Sequence, residues 1–134
     1  MGIRRKSREL ALQALYQGDL SGTSPPDALP LLCTNFEISC KSLSYSRELL
    51  DGIRARLAAI DAIIEGSAVN WRISRMSVID RNIMRIAVYE FRFRDDVPAK
   101  VAINEAIELA KRFGADDSPA FINGILDAVH KTRL

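Results

Sequence analysis

Residues 118–131, SPAFINGILDAVHK, decide the fold class. Asn123-Gly124 is a strong local signal for a hairpin, and taken alone it would place two strands at this end of the chain. The residues around it argue otherwise. Ile122, Ile125, Leu126 and Val129 recur at spacings of three and four, the period of one helical face. Ser118-Pro119 supplies a cap and a first helical residue, so a helix is predicted from Ser118 to about Lys131. Gly124 then lies inside it, at a cost of about 1 kcal/mol against alanine. We read it as a point where a neighbouring helix or a ligand comes close.

The same period recurs upstream. Leu49, Ile53, Leu57, Ile60 and Ile64 predict one helix over Tyr45–Glu65, ended by Gly66-Ser67. A helix over Val78–Phe93 carries Ile79, Ile83, Ile86, Val88 and Tyr89 on its inner stripe, with Ser77 and Asp80 resembling a capping box. The RDDVP stretch, residues 94–98, breaks the chain. Asn104 is predicted to cap a helix through EAIELAKRF, and Gly114 to end it. Near the front, a helix from Arg5 to about Leu20 is ended by Ser21-Gly22 and Pro25-Pro26. A short helix is placed at Asp27–Phe36 and a connection at Glu37–Ser44. No alternating strand is found. The expectation is an all-α bundle.

The 134 residues suit one domain with a core of its own. Hydrophobic residues make up 48% and charged residues 27%, which argues against disorder. No apolar run approaches the roughly 20 residues of a membrane span. Glu9, Gln13 and Gln17 interrupt what would be the apolar core of a signal peptide, so a cytoplasmic protein with no membrane association is expected. Cys33 and Cys40 lie seven apart, and His130 is the single histidine, a poor basis for a metal or redox site. They are read as free thiols. Glu105 and Glu108 lack a histidine partner and have Lys111 and Arg112 nearby, so they read as a solvated face. No enzyme activity and no cofactor are expected.

One feature stands out in this bland background. Arg4, Arg5, Lys6 and Arg8 put four cations in five positions, on a chain whose net charge is only +2. Cations at a helix N-terminus oppose the macrodipole, so they suggest another use. Polyanion binding is one, with arginine suited to phosphate forks and base stacking; a solvated tail is the other. Behind them, Leu10, Ala11, Ala14 and Leu15 form the core arc of the helix, while Leu12, Tyr16 and Leu20 form a second stripe. Either the helix is buried nearly all round, or Tyr16 and Leu20 stay accessible for a protein partner. Phe121, in the first turn of the last helix, fits either core packing or a base stack. Trp71, beside Ile73 and Met76, is read as a core plug in preference to a stacking residue.

DRNIMRIAVYEF, residues 80–91, and DVPAKVAINEAIELAKRFGADDSPAFINGILDAV, residues 96–129, resemble the bacterial transcription antitermination factors of the NusB family. RRKSRELALQALYQ, residues 4–17, resembles that family's arginine-rich segment and first helix. Residues 21–70 match only in helical character. The resemblance implies an all-α fold of two packed helical bundles in one domain, residues 1–134, with a basic N-terminal arm over 1–8. It implies a non-enzymatic RNA-binding role. The RNA would be the single-stranded boxA element of nascent ribosomal transcripts, bound together with NusE, the small-subunit ribosomal protein. RNA polymerase and other Nus factors would complete the complex.

Carried over to matching positions, the resemblance makes Arg4, Arg5, Lys6 and Arg8 RNA contacts, with Asp117 and Phe121. It makes Tyr16, Leu20 and Asp80 the contacts to NusE. One departure is Ala120, where some relatives have lysine, which removes a phosphate contact. Two other readings stay open. One is a helical module acting with an RNA-modifying cytosine methyltransferase. The other is a homodimer, through a self-complementary stripe on the first helix, that hides the RNA segment.

Overall fold

The computed structural model describes residues 2–21, 43–69 and 71–132. Among these it forms six α-helices and one 3-10 turn, with no strand. The predicted helix Asp27–Phe36, residues 37–42 of the predicted connection, Cys33 and Cys40 lie outside the described residues. The helices fall into two compact units, Met1–Ala55 and Arg56–Leu134.

In the first unit, α1 (Ile3–Ser21) packs on α2 (Leu43–Ala55). Leu10, Leu12, Ala14 and Leu15 from α1 are buried, as are Tyr45, Leu49, Leu50 and Ile53 from α2. A buried hydrogen bond pins the pair, Ser46 Oγ donating to Ser7 O over 2.8 Å. The helix begins at Ile3, two residues earlier than expected, so the basic residues are not an arm but the first two turns of α1. With no acidic residue in that first turn, the macrodipole is left opposed. Packing against α2 outweighs it.

The expected helix over 45–65 is two helices. The chain leaves helical geometry at Arg56 (φ −124°, ψ 21°), and α3 (Leu57–Ser67) follows. Within α3, Ile60 and Ile64 are buried, while Leu57, its first residue, is exposed. In the second unit α3 packs with α4 (Val78–Phe93) and α6 (Ser118–Lys131), and α5 (Ala99–Phe113) packs with α4 and α6. Touching all three neighbours, α4 is buried continuously from Asn82 to Phe91. Its polar groups are satisfied in place. Arg85 forks onto Asp61 at 2.8 and 2.9 Å and donates to Asn82 Oδ1 at 2.9 Å. Asn82 in turn donates to Val78 O.

Two caps differ from expectation. α5 starts at Ala99, after Pro98, and Ala102 N donates to Pro98 O at 3.0 Å, so Asn104 is an exposed residue inside the helix. Proline's fixed φ already suits the helix entry, and no polar cap is used. At α6 the N-cap is Asp117 rather than Ser118. The Ser118 hydroxyl is engaged elsewhere, accepting from Ala115 N at 2.9 Å and donating to Asp80 Oδ1 at 2.7 Å. Gly114 ends α5 as expected. There the close approach is real: a Cβ on it would stand 2.7 Å from the Cβ and Oγ of Ser118. Gly124 is a correction, because a Cβ there would meet no neighbouring helix within 4 Å.

Candidate functional site

The basic turns of α1 and its distal end make the first candidate surface. Arg4 and Arg8 are one turn apart and share a face. The Arg4 guanidinium lies 4.5 Å from the centroid of the Tyr45 ring, and that of Arg8 lies 5.9 Å from it. Cation–π contact with a tyrosine 6% exposed orders both side chains. Their surroundings differ. Arg4 and Lys6 are exposed, Arg5 is half-buried, and Arg8 is 5% exposed. Arg8 is therefore a packed residue, whereas Arg4 and Lys6 present charge to solvent. Further along, the second stripe divides: Leu12 is buried, but Tyr16 and Leu20 are exposed. Helix α1 is not buried all round.

The second surface lies at the first turn of α6. Asp117 is exposed and makes no side-chain capping bond, so its carboxylate is open to solvent. Phe121 N donates to Asp117 O at 3.1 Å, placing the half-buried Phe121 one turn along the same side. Phe121 meets Trp71 edge to face, with centroids 5.8 Å apart and planes at 75°. Trp71 is not a core plug: it is 49% exposed. Beside it an open recess of about 720 Å³ is lined by Trp71, Arg72, Ser74 and Arg75. Asp80 is 9% exposed, with one carboxylate oxygen held by Ser118, so it is not an open docking group.

The family model for the NusB family matches residues 5–131. The chain belongs to the NusB family. It is 50% identical to the transcription antitermination protein NusB of Desulfotalea psychrophila, over 96% of each chain. The fold of NusB from T. maritima superposes with a TM-score of 0.87 at 36% identity, over 97% of this chain and 92% of that one. A crystal structure of antitermination factors NusB and NusE in complex with dsRNA aligns at 26% identity and a TM-score of 0.88, over 98% of each chain.

Set against the NusB-family expectations, the candidate residues fall on both units. Arg4, Arg5, Lys6, Arg8, Tyr16 and Leu20 are on α1, and Asp80, Asp117 and Phe121 are in the second unit. The structure brings Asp117 and Phe121 together and leaves Tyr16 and Leu20 exposed on one helix. The sequence offers Trp71 as a stacking residue or a core plug, and the adjacent Ile73 and Met76 favour the core; the exposed Arg72 and Arg75 beside it carry no expectation. Among the described residues no cluster of three or more His, Cys, Asp or Glu could hold a metal, and no helix is long and apolar enough to cross a membrane.

Proposed function

We propose that this protein is an RNA-binding transcription antitermination factor that engages the boxA element of nascent ribosomal RNA together with NusE, within an RNA polymerase complex that includes other Nus factors. Family membership over nearly the whole chain carries this reading. On it, Arg4, Arg5 and Lys6 contact phosphates, and Arg8 holds that turn in place through its packing. Asp117 accepts hydrogen bonds from base amino groups, as a carboxylate does with cytosine N4. Phe121 offers a ring to a base. Tyr16 and Leu20 form the centre of the NusE contact, and Asp80 acts by positioning the first turn of α6. The fold offers a scaffold for RNA and a partner, and the reading assigns it no catalytic step and a cytoplasmic site of action.

The test is a salt series of boxA single-stranded RNA binding, with and without NusE, by wild-type protein and by the triple variant R4A/R5A/K6A. Wild-type affinity should rise when NusE is present. The variant's slope of log affinity against log salt should be shallower by about 2, three phosphate contacts on a single strand. An unchanged slope would remove the basic turns from the interface. The methyltransferase-associated module is not favoured, since relatives matched over nearly their full length are antitermination proteins. The exposed Tyr16 and Leu20 would equally serve a homodimer. Molecular mass in solution, with and without NusE, separates the two uses.

A further inference from the structure

The exposed tryptophan has no role in the reading so far. It is the chain's single tryptophan, and leaving half of it in water forgoes hydrophobic stabilisation. Its segment is well anchored. Trp71 N donates to Ala68 O at 3.0 Å, and Ile73 N donates to Glu65 Oε2 at 2.7 Å. The 3-10 turn Ile73–Arg75 then leads into the buried Met76. The ring is thus pre-positioned, which lowers the entropic cost of binding a ligand.

We propose that Trp71, braced by Phe121 and flanked by Arg72 and Arg75, stacks an unpaired RNA base while the two guanidiniums take adjacent phosphates. The inference rests on the RNA-binding function proposed above and adds a subsite to it. Two rings at 75° cannot cover each other's faces: the ring that offers its edge keeps both of its own, and the other keeps one. Arg75 N donates to Arg72 O at 2.9 Å, closing a 3-10 turn in which residues three apart eclipse. Arg72 and Arg75 both line the recess beside Trp71, and both are exposed. Among the described residues no carboxylate lines the recess they share with Trp71 and Ser74. The acidic side chains that flank the segment along the chain are engaged, Glu65 by Ile73 N and Asp80 by Ser118 Oγ. An aromatic face beside two cations fits a nucleotide, because any base has a π-face and each phosphate has a negative charge. Tryptophan ringed by arginine also suits a protein hot spot, and NusE binding by the variants separates the two.

The single tryptophan makes the test direct. Full-length protein is titrated with boxA single-stranded RNA, following Trp71 emission and, separately, the anisotropy of labelled RNA. Quenching should track the anisotropy curve. Trp71→Ala should weaken RNA binding by about ten-fold, whereas Trp71→Phe keeps most of it. R72A/R75A should weaken binding and flatten the salt slope by about 1.4, two phosphates' worth. Should Trp71→Ala unfold, R72A/R75A and the wild-type quenching still decide the matter. RNA binding without quenching, and unchanged in R72A/R75A, overturns the subsite and leaves the proposed function standing. Trp71→Ala losing NusE but not RNA would also overturn it, giving this face to the protein partner. Wild-type protein that binds no RNA, even with NusE, overturns both.

Discussion

Ser118 Oγ donates a 2.7 Å hydrogen bond to Asp80 Oδ1, tying the first turn of α6 to the first turn of α4. Both ends are buried and both do further work. Asp80 N donates to Ser77 Oγ at 3.0 Å, and Ser118 Oγ accepts from Ala115 N at 2.9 Å. The starts of two helices, at Asp80 and Ser118, are thereby locked together with Ser77 and Ala115 just ahead of them, where Asp117 and Phe121 emerge. Sequence spacing suggested a reciprocal capping box at Ser77 and Asp80. The structure turns the Asp80 carboxylate to another helix.

Ser118→Ala should lower the unfolding free energy by about 1–3 kcal/mol, since it strands a buried carboxylate oxygen and the Ala115 amide. Urea titration with an unchanged m-value checks this. The same pair settles what Asp80 does. If Asp80 acts by position alone, folded Ser118→Ala and Asp80→Ala should weaken RNA binding alike and leave NusE affinity unchanged. A loss of NusE affinity confined to Asp80→Ala would make the carboxylate itself a contact.

Two glycines should respond to alanine with opposite signs. Gly114→Ala drives a Cβ into Ser118 and the Ala110 carbonyl, and should destabilise by about 1–3 kcal/mol. Gly124→Ala adds a methyl to open space inside α6 and should stabilise by about 1 kcal/mol. Thermal melts of both variants decide it. A loss of RNA affinity in the more stable Gly124→Ala would show a ligand lying against that backbone.

Leu12 and Leu20 lie on one stripe but should fail differently. Leu12→Ala empties a site 1% exposed and should cost about 2–5 kcal/mol of stability. Leu20→Ala, at 62% exposure, should leave the urea midpoint within error and weaken NusE binding measured by calorimetry. Unaltered NusE affinity in both Leu20→Ala and Tyr16→Ala would free that end of α1 from the partner.

Arg8 and Lys6 divide in the same way. Arg8→Ala removes a packed guanidinium over Tyr45 and should reduce stability as well as RNA affinity. Lys6→Ala should leave stability unchanged and flatten the salt slope of RNA binding by about 0.7, one phosphate on a single strand. Equal effects on melting would contradict the difference in their burial.

The helices were largely legible from local information. Apolar spacing placed α4 to the residue and kept α6 whole through Asn123-Gly124, because a 3.6-residue period is written into adjacent positions. Family motifs at both ends supplied the RNA and partner assignments. Errors arose where a decision depended on distant residues. The helix expected over 45–65 breaks at Arg56, and Pro98 displaced Asn104 as the start of α5. Burial of Arg8 depends on Tyr45, the Asp80 carboxylate is claimed by Ser118, and Trp71, half exposed, meets Phe121 edge to face in place of a core. The sequence by itself determined which segments are helical, since hydrogen bonds and side-chain period act within a few residues. Tertiary structure alone decided which side of each helix is covered, because that depends on which surface packs against it, and so it chose the side chains left open for RNA and a partner.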